Sequence, residues 1–300
     1  MASYTIKDLE KLSGIKAHTI RIWEKRYGLI EPQRTSTNIR TYCDLDLKRL
    51  LNISFLNRHG LKISKIAQLT PEQVKDKIGH LQQNMSDLES HIESLSIAMI
   101  DLDEDKFEKI LSRLVIQMGF EDAFIKIIYP FFGKVGIMWL TGAINPAQEH
   151  FVSNLIRQKL NVAIDSQIAS NNSNQKSFLL FLPEGELHEL GLLFYAYLIK
   201  KRGYKIIYLG QSVPLNDLFD VIKLRPCNYL VTSFISTFNG QSVYDYALEI
   251  SENARFDKLF ISGNQATEID SGKLPPKVNV VASPIEFIEI LDNLLKANLN

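Results

Sequence analysis

Glu186, His188 and Gly191 stand in the order Glu-x-His-x-x-Gly. A neutral imidazole is a good ligand for a borderline transition metal. A carboxylate nearby can take the ring's other N–H, which fixes the tautomer and raises the basicity of the ligating nitrogen. The residues before them, Ser177-Phe-Leu-Leu-Phe-Leu-Pro183, read as a strand, and Leu192 to Lys201 read as a helix. His188 then falls at the carboxyl end of a first parallel strand, where open α/β sheets hold their ligands. A surface histidine at a strand–helix turn satisfies the same short spacing, so the rest of the chain must decide.

The elements that position His188 repeat. Strand-like runs at 178–182, 204–209, 229–234, 258–262 and 278–282 alternate with helical patterns at 189–202, 215–224, 241–252 and 284–297. That alternation predicts a doubly wound, parallel, five-stranded Rossmann-like sheet over 177–300. No G-x-G-x-x-G follows its first strand and no G-x-x-x-x-G-K-[ST] occurs, which excludes the usual dinucleotide and P-loop sites.

Upstream, Ile78, Leu81, Met85, Leu88, Ile92, Leu95, Met99 and Leu102 recur at a/d spacing, which suits a coiled coil or a bundle helix. Three further amphipathic segments follow, at 107–118, 121–139 and 146–168. Four consecutive helices favour an antiparallel four-helix bundle over 77–172. Its last helix has a marked start, with Asn145 as N-cap, Pro146 at the first position and Gln148 at the third. Trp139 precedes that start and the pair Glu149-His150 follows it. The polar run 171–176 links to the sheet.

Residues 1–76 predict a helix–turn–helix with a wing. Thr5 caps a first helix that Gly14 stops, and a second runs from Ala17 to Arg26. Residues 32–42 form a hairpin, a third helix spans 44–58, and a fourth begins near Lys62. The formal charge of zero conceals an asymmetry: residues 1–79 hold 15 Lys and Arg against 8 Asp and Glu, of 34 each in the whole chain. A basic head on an acidic body suggests a nucleic-acid partner for the head alone. At 300 residues and 45% hydrophobic content, the chain is expected to be a soluble protein of two or three domains. It has no apolar run of membrane-spanning length and no signal peptide. Cys43 and Cys227 form no metal or redox spacing. The expected location is the cytoplasm, with no membrane partner.

Over about 70 residues the head resembles MerR-family regulators, on Thr19-Ile-Arg21-Ile-Trp23-Glu24, Arg26-Tyr27-Gly28-Leu29-Ile30, Arg40-x-Tyr42 and Asp46-Leu47. The resemblance implies that Thr19 and Arg21 meet double-stranded operator DNA from the second helix, while Arg34, Arg40 and Tyr42 engage phosphates from the wing. Trp23 is expected in the small core. The Glu186-x-His188-x-x-Gly191 spacing resembles the signature of cobalamin-binding domains, in which the histidine replaces the cofactor's benzimidazole below cobalt. Ser233-x-Ile235, preceded by Thr232, and Gly263-Asn264 stand where that family has S/T-x-L and a Gly-Gly pair that flank the displaced nucleotide tail. Asn264 departs from the pair, and its side chain puts tail insertion in question. Trp139, Glu149 and His150 resemble the cap of CarH-type photoreceptors, which are MerR regulators that bind adenosylcobalamin. There the tryptophan covers the adenosyl group, an aromatic face suiting adenine and a carboxylate suiting ribose hydroxyls.

The implied function is a repressor that adenosylcobalamin gathers into a dimer or tetramer on its operator and that light releases. The residue after the cap tryptophan is a histidine in those photoreceptors but Leu140 here, which offers no donor to photolysed cobalt. Two alternatives stand beside this reading. One is a cobalamin-independent regulator that uses the module as an oligomerisation scaffold. The other is a cobalamin-dependent enzyme component, which would need a further substrate barrel of about 250 residues.

Overall fold

A computed structural model of the chain describes residues 4–13, 15–34, 40–58, 60–82, 88–140, 143–167, 176–236, 241–267, 269 and 271–299. Residues 1–155 and 156–300 form two compact units.

In the first unit, α1 (Ile6–Ser13) opens on a reciprocal cap: the Asp8 carboxylate accepts from the Thr5 amide at 2.8 Å and from its hydroxyl at 2.7 Å. Gly14, the expected stop, lies outside the described residues. Helix α2 (Ala17–Tyr27) ends where Gly28 turns left-handed at φ 59°, its N–H on the Glu24 carbonyl. Strands β1 (Gln33–Arg34) and β2 (Arg40–Thr41) pair antiparallel as the wing, whose tip at 35–39 is outside the described residues. Helices α3 (Asp44–Arg58), α4 (Ile63–Ile66) and α5 (Pro71–Gln82) complete the head. Leu9, Leu12, Ile20, Trp23, Leu29, Leu50 and Phe55 are buried beneath it. The expected domain boundary at 76 falls inside α5.

The a/d run is divided between α5 and α6 (Leu88–Ile100). A helix of a two-stranded coiled coil keeps a solvated face. On α6, by contrast, Ser90, His91, Glu93, Ser94 and Ser96 are buried together with Leu95, Ile97 and Met99. The serines tolerate burial because their hydroxyls turn back onto the helix, Ser94 to the Ser90 carbonyl and Ser96 to that of Ile92, each at 2.8 Å. Helix α7 (Glu104–Met118), capped by Asp103, packs against α6. Next, α8 (Phe120–Ala123) runs through a π turn at Phe124–Ile128 into α9 (Tyr129–Leu140), where the sequence suggests one uniform helix over 121–139. Helix α9 also packs on α6. Helix α10 (Pro146–Asp165) begins with the expected box: the Gln148 amide donates to Asn145 Oδ1 at 3.0 Å and the Asn145 amide donates to Gln148 Oε1 at 3.1 Å.

The second unit holds the parallel sheet. Its strands are β3 (Ser177–Pro183), β4 (Lys205–Val213), β5 (Tyr229–Ser233), β6 (Lys258–Ser262) and β7 (Val278–Val281). Its helices are α11 (Leu190–Lys201), α12 (Leu215–Leu224), α13 (Val243–Asn253), the short α14 (Asn264–Thr267) and α15 (Pro284–Leu299). The strand order is β4-β3-β5-β6-β7, parallel throughout. The chain leaves β3 toward β4 on one side and returns to β5 on the other, so the order reverses between β3 and β5. Ligands of open α/β sheets lie at the carboxyl ends beside such a reversal. Strand β4 runs past its expected end at 209 because Gly210 (φ 84°) and Ser212 (φ 51°) take left-handed turns. Its register against β3 slips there.

Gly263, just after β6, is fixed by sterics. Its φ is 95°, and a Cβ there would lie 2.3 Å from the Phe234 carbonyl oxygen and 2.9 Å from the Phe234 nitrogen. The ends of β5 and β6 approach this closely because the Phe234 amide donates to the Ser262 carbonyl at 2.8 Å. Gly263→Ala is therefore expected to destabilise the protein by about 3 kcal/mol through backbone strain and displacement. Urea unfolding followed by circular dichroism measures this, and a loss under about 1 kcal/mol would contradict the packing described.

Candidate functional site

The loop between β3 and α11 carries Glu186 and His188. Gly185 turns it at φ 83°, and β4 pins it from the side. The Ser212 amide donates to the Glu186 carbonyl at 3.2 Å, the Gly185 amide to Ser212 Oγ at 3.0 Å, and Gln211 Nε2 to the Leu187 carbonyl at 2.6 Å. The Glu186 side chain, 4% exposed, accepts from the amides of Leu187 and His188 at 3.0 Å each. From the end of β5 it accepts from the amides of Ile235 at 2.9 Å and Ser236 at 2.7 Å and from the Ser236 hydroxyl at 3.0 Å. His188 Nδ1 lies 2.7 Å from Glu186 Oε1 and 3.0 Å from Ser236 Oγ.

Burial by itself would raise the Glu186 pKa. The hydrogen bonds from the His188 ring and from the amides of His188, Ser236 and Ile235 outweigh it and hold the carboxyl well below the usual range. An ionised Glu186 requires the proton on Nδ1, which leaves the lone pair on Nε2. The ring itself is 59% exposed. The arrangement is a carboxylate–histidine pair of the kind that can orient an imidazole toward a metal. No group of three or more His, Cys, Asp or Glu suited to holding a metal ion exists among the described residues.

Two more features suit a bulky organometallic ligand. Thr232 Oγ1 is fully buried in β5 and has no hydrogen-bond partner in the protein, and such groups in native proteins are normally satisfied by a ligand or water. A Cβ at Gly191 would meet open space, so packing within the chain does not demand glycine there. Ser233 is buried next to Thr232. Gly263 serves the β5–β6 contact, and Asn264 is exposed as the first residue of α14. Beyond His188, Glu189 is clamped by Arg157 at 2.7 Å and approached by the Tyr208 hydroxyl at 3.4 Å. Ser236 and the Ile235 amide are missed by sequence reasoning. The available signal was the strand order, which sets the end of β5 beside the end of β3.

In the first unit, Trp139 is 54% exposed near the end of α9. Glu149 in the first turn of α10 accepts from Ser153 Oγ at 2.6 Å, and its other oxygen lies 2.9 Å from His150 Nδ1. An exposed indole and a fixed carboxylate follow one another across residues 139–149.

The head presents Arg21 exposed and Thr19 half-buried on α2, and Arg34 exposed on β1. Arg40 is partly committed elsewhere, its Nε 3.1 Å from Glu24 Oε1. Tyr42 corrects the expectation that it engages phosphates. It is 1% exposed, and its hydroxyl donates to Glu24 Oε2 at 3.4 Å. Burial, then the Glu24 charge, pushes its pKa up to about 12. The β-bridge to Tyr4 faces it inward, so it is a strut of the wing.

A winged helix–turn–helix with exposed basic residues, joined to a helical cap and a sheet that presents a carboxylate-held histidine, marks a MerR-type DNA-binding regulator that binds cobalamin. The comparisons agree. A model of MerR HTH family regulatory proteins matches residues 4–73, and one described as a B12 binding domain matches residues 91–164. The HTH-type transcriptional repressor CarH of Myxococcus xanthus is 32% identical over 231 residues, 75% of this chain and 76% of that protein. The repressor CarA of the same organism is 26% identical over 234 residues, 77% of this chain and 76% of its own. The monomethylamine corrinoid protein of Methanosarcina barkeri superposes with a TM-score of 0.53 at 15% identity, over 69% of this chain and 100% of its own, a likeness of fold alone. The chain belongs to the CarH family of MerR-type, cobalamin-binding transcription regulators. It is a regulator and not an enzyme.

The sign of the Glu186 shift gives a pH prediction. A carboxyl whose folded pKa is depressed stabilises the fold above its unfolded pKa of about 4.3, and the stabilisation is lost as the pH falls through that value toward the folded one. Glu186→Gln is expected to cost about 2–4 kcal/mol at pH 7, because four backbone amides lose a charged acceptor, and to flatten the acid limb below about pH 4.3. Urea midpoints across a pH series check this; an acid limb as steep as the wild type's would mean Glu186 is not the ionised hub of the loop.

Proposed function

We propose that this protein is a cytoplasmic repressor whose grip on operator DNA is set by adenosylcobalamin. The single observation that carries the reading is the Glu186–His188 pair at the β3–β5 reversal, with Nδ1 held at 2.7 Å and the ring exposed. We read residues 1–76 as the DNA-binding head, 77–172 as the cap and 177–300 as the cobalamin-binding sheet, a division supported by family matches at 4–73 and 91–164.

In this reading His188 would be the lower ligand to cobalt, oriented by Glu186 and Ser236. Thr232, Ser233 and Gly191 would be the sheet's further cofactor-binding residues, and Trp139, Glu149 and His150 are those of the first unit that we assign to the cofactor. Asn264 would narrow the approach of the nucleotide tail. Thr19 and Arg21 would read the major groove, while Arg34 and the outer edge of Arg40 would hold phosphates, which position the protein more than they select sequence. When bound, adenosylcobalamin supplies a cobalt–carbon bond that light can break. Leu140 has no donor atom with which to retain the cofactor afterwards. Assembly into dimers or tetramers would multiply a modest grip per head by avidity.

The test loads the purified protein with adenosylcobalamin in the dark, gel-filters it, and titrates duplex DNA at fixed salt against the cobalamin-free protein. The expected result is visible absorbance travelling with the protein and at least a tenfold difference in DNA affinity, about 1.4 kcal/mol. Protein that elutes colourless, or that binds DNA equally in both states, would overturn the reading.

A further inference from the structure

Residues 1–155, which hold the head and the cap residues Trp139 and Glu149, form one compact unit, and the Tyr4 side chain links the two parts. Tyr4 is fully buried, and its hydroxyl donates to the carbonyl of Ala143, 139 residues away in sequence. Ala143 lies between Trp139 and Glu149, in the loop that connects the cap residues. Its own amide donates to the Met138 carbonyl at 2.7 Å. The Ala143 peptide is therefore held on one side by the helix that carries Trp139 and on the other by Tyr4.

The backbone of Tyr4 belongs to the wing. It exchanges two hydrogen bonds with Tyr42, amide to carbonyl at 2.9 Å and 3.0 Å. Tyr42 in turn reaches Glu24 on α2, and the same carboxylate holds Arg40 of the wing at 3.1 Å. Each link joins rigid elements: the end of α9, a two-residue bridge, the recognition helix and the wing. Around it α1 packs on α9 and α3 on α6, and Lys48 pairs with Asp101 beyond α6. The contacts that run from Ala143 to the wing therefore all lie within one protomer. A two-state element whose arrangement both sites bias is the physical requirement for coupling between them.

We propose that Tyr4 is a positioning residue that couples the cap loop to the DNA-reading head within one protomer, so that what occupies the cap beside Trp139 sets how the wing seats on the recognition helix. The proposal rests on the reading that cobalamin controls DNA binding and adds the route. Coupling by this route is reciprocal: DNA must change the affinity for the cofactor by the same factor as the cofactor changes the affinity for DNA. Because the wing grips phosphates, the effect extends to random-sequence duplex as well as to an operator.

The test uses the full chain, adenosylcobalamin in the dark and a random-sequence duplex too short to seat a second head, so that avidity does not enter the ratio. The quantity read is the ratio of DNA dissociation constants without and with cofactor. Tyr4→Phe keeps the buried ring and removes only the hydroxyl. The wild-type ratio is expected to differ from one by at least fivefold, and the variant's to fall within twofold of one while both still bind DNA and cofactor. A merely structural Tyr4 would weaken DNA binding in both states and leave the ratio intact, and that outcome would overturn the proposal. A ratio of one in the wild type on this duplex would overturn the route, whereas colourless protein or equal binding in the earlier test would sink the cobalamin-control reading itself. A second measurement needs no variant: hydrogen exchange of the Tyr4 and Tyr42 amides in DNA-free wild type is expected to change on adding adenosylcobalamin, and unchanged exchange there would overturn the proposal.

Discussion

The second unit depends on one buried carboxylate. Taking Glu186 out of water costs several kcal/mol unless its oxygens are filled, and the fold fills them with four amides, a serine hydroxyl and an imidazole. Those donors come from two places, the loop after β3 and the end of β5, so the charge can be buried only when the two strands are neighbours in the correct register. The parallel pairing of Phe178 with Tyr229, Leu179 with Leu230 and Leu180 with Val231 provides that register. The interaction that orients His188 thus also fastens the topological reversal on which the ligand site depends.

The same logic fixes what surrounds it. Gly263 lets β6 end against Phe234, which holds the backbone leading into Ile235 and Ser236. Ser212 and Gln211 reach back from an extended β4 to the loop's own carbonyls. Function in this unit asks for a pre-oriented imidazole, and the hydrogen bonds to Glu186 and to the loop carbonyls provide it. The Thr232 hydroxyl, buried in β5, has no partner among the described residues. In the first unit the corresponding economy is the capping box of α10, which sets Glu149 in a first turn fixed by Asn145 and Gln148.

Much of this was legible in the sequence because periodicity and punctuation are local. The βα alternation, the start of α10, the helix–turn–helix and the Glu-x-His-x-x-Gly spacing each lie within a short window, and the structure places each where the pattern indicates. What escaped is non-local. Ser236 is 50 residues from Glu186, and no spacing rule connects them until the strand order is known. The family resemblance implies a phosphate contact for Tyr42, and its long-range bridge to Tyr4 turns it inward instead. The a/d run over 78–102 fits a bundle as well as a coiled coil, and burial of the serines on α6 separates them. The π turn at Phe124–Ile128 is followed two residues later by Pro130, which has no N–H to give the Lys126 carbonyl, a signal that the apolar periodicity of 121–139 obscures.

We propose that His188, oriented by Glu186, would ligate the cobalt of bound cobalamin. The most direct test is electron paramagnetic resonance of the protein loaded with cobalt(II) cobalamin, with the histidines labelled with nitrogen-15 and the cofactor unlabelled. An axial nitrogen splits the cobalt lines into three when it is nitrogen-14 and into two when it is nitrogen-15. Two-line splitting is expected in the labelled wild-type protein, and its loss in His188→Ala. Three-line splitting in the labelled protein would mean that the cofactor's own benzimidazole remains on cobalt, and would contradict the account.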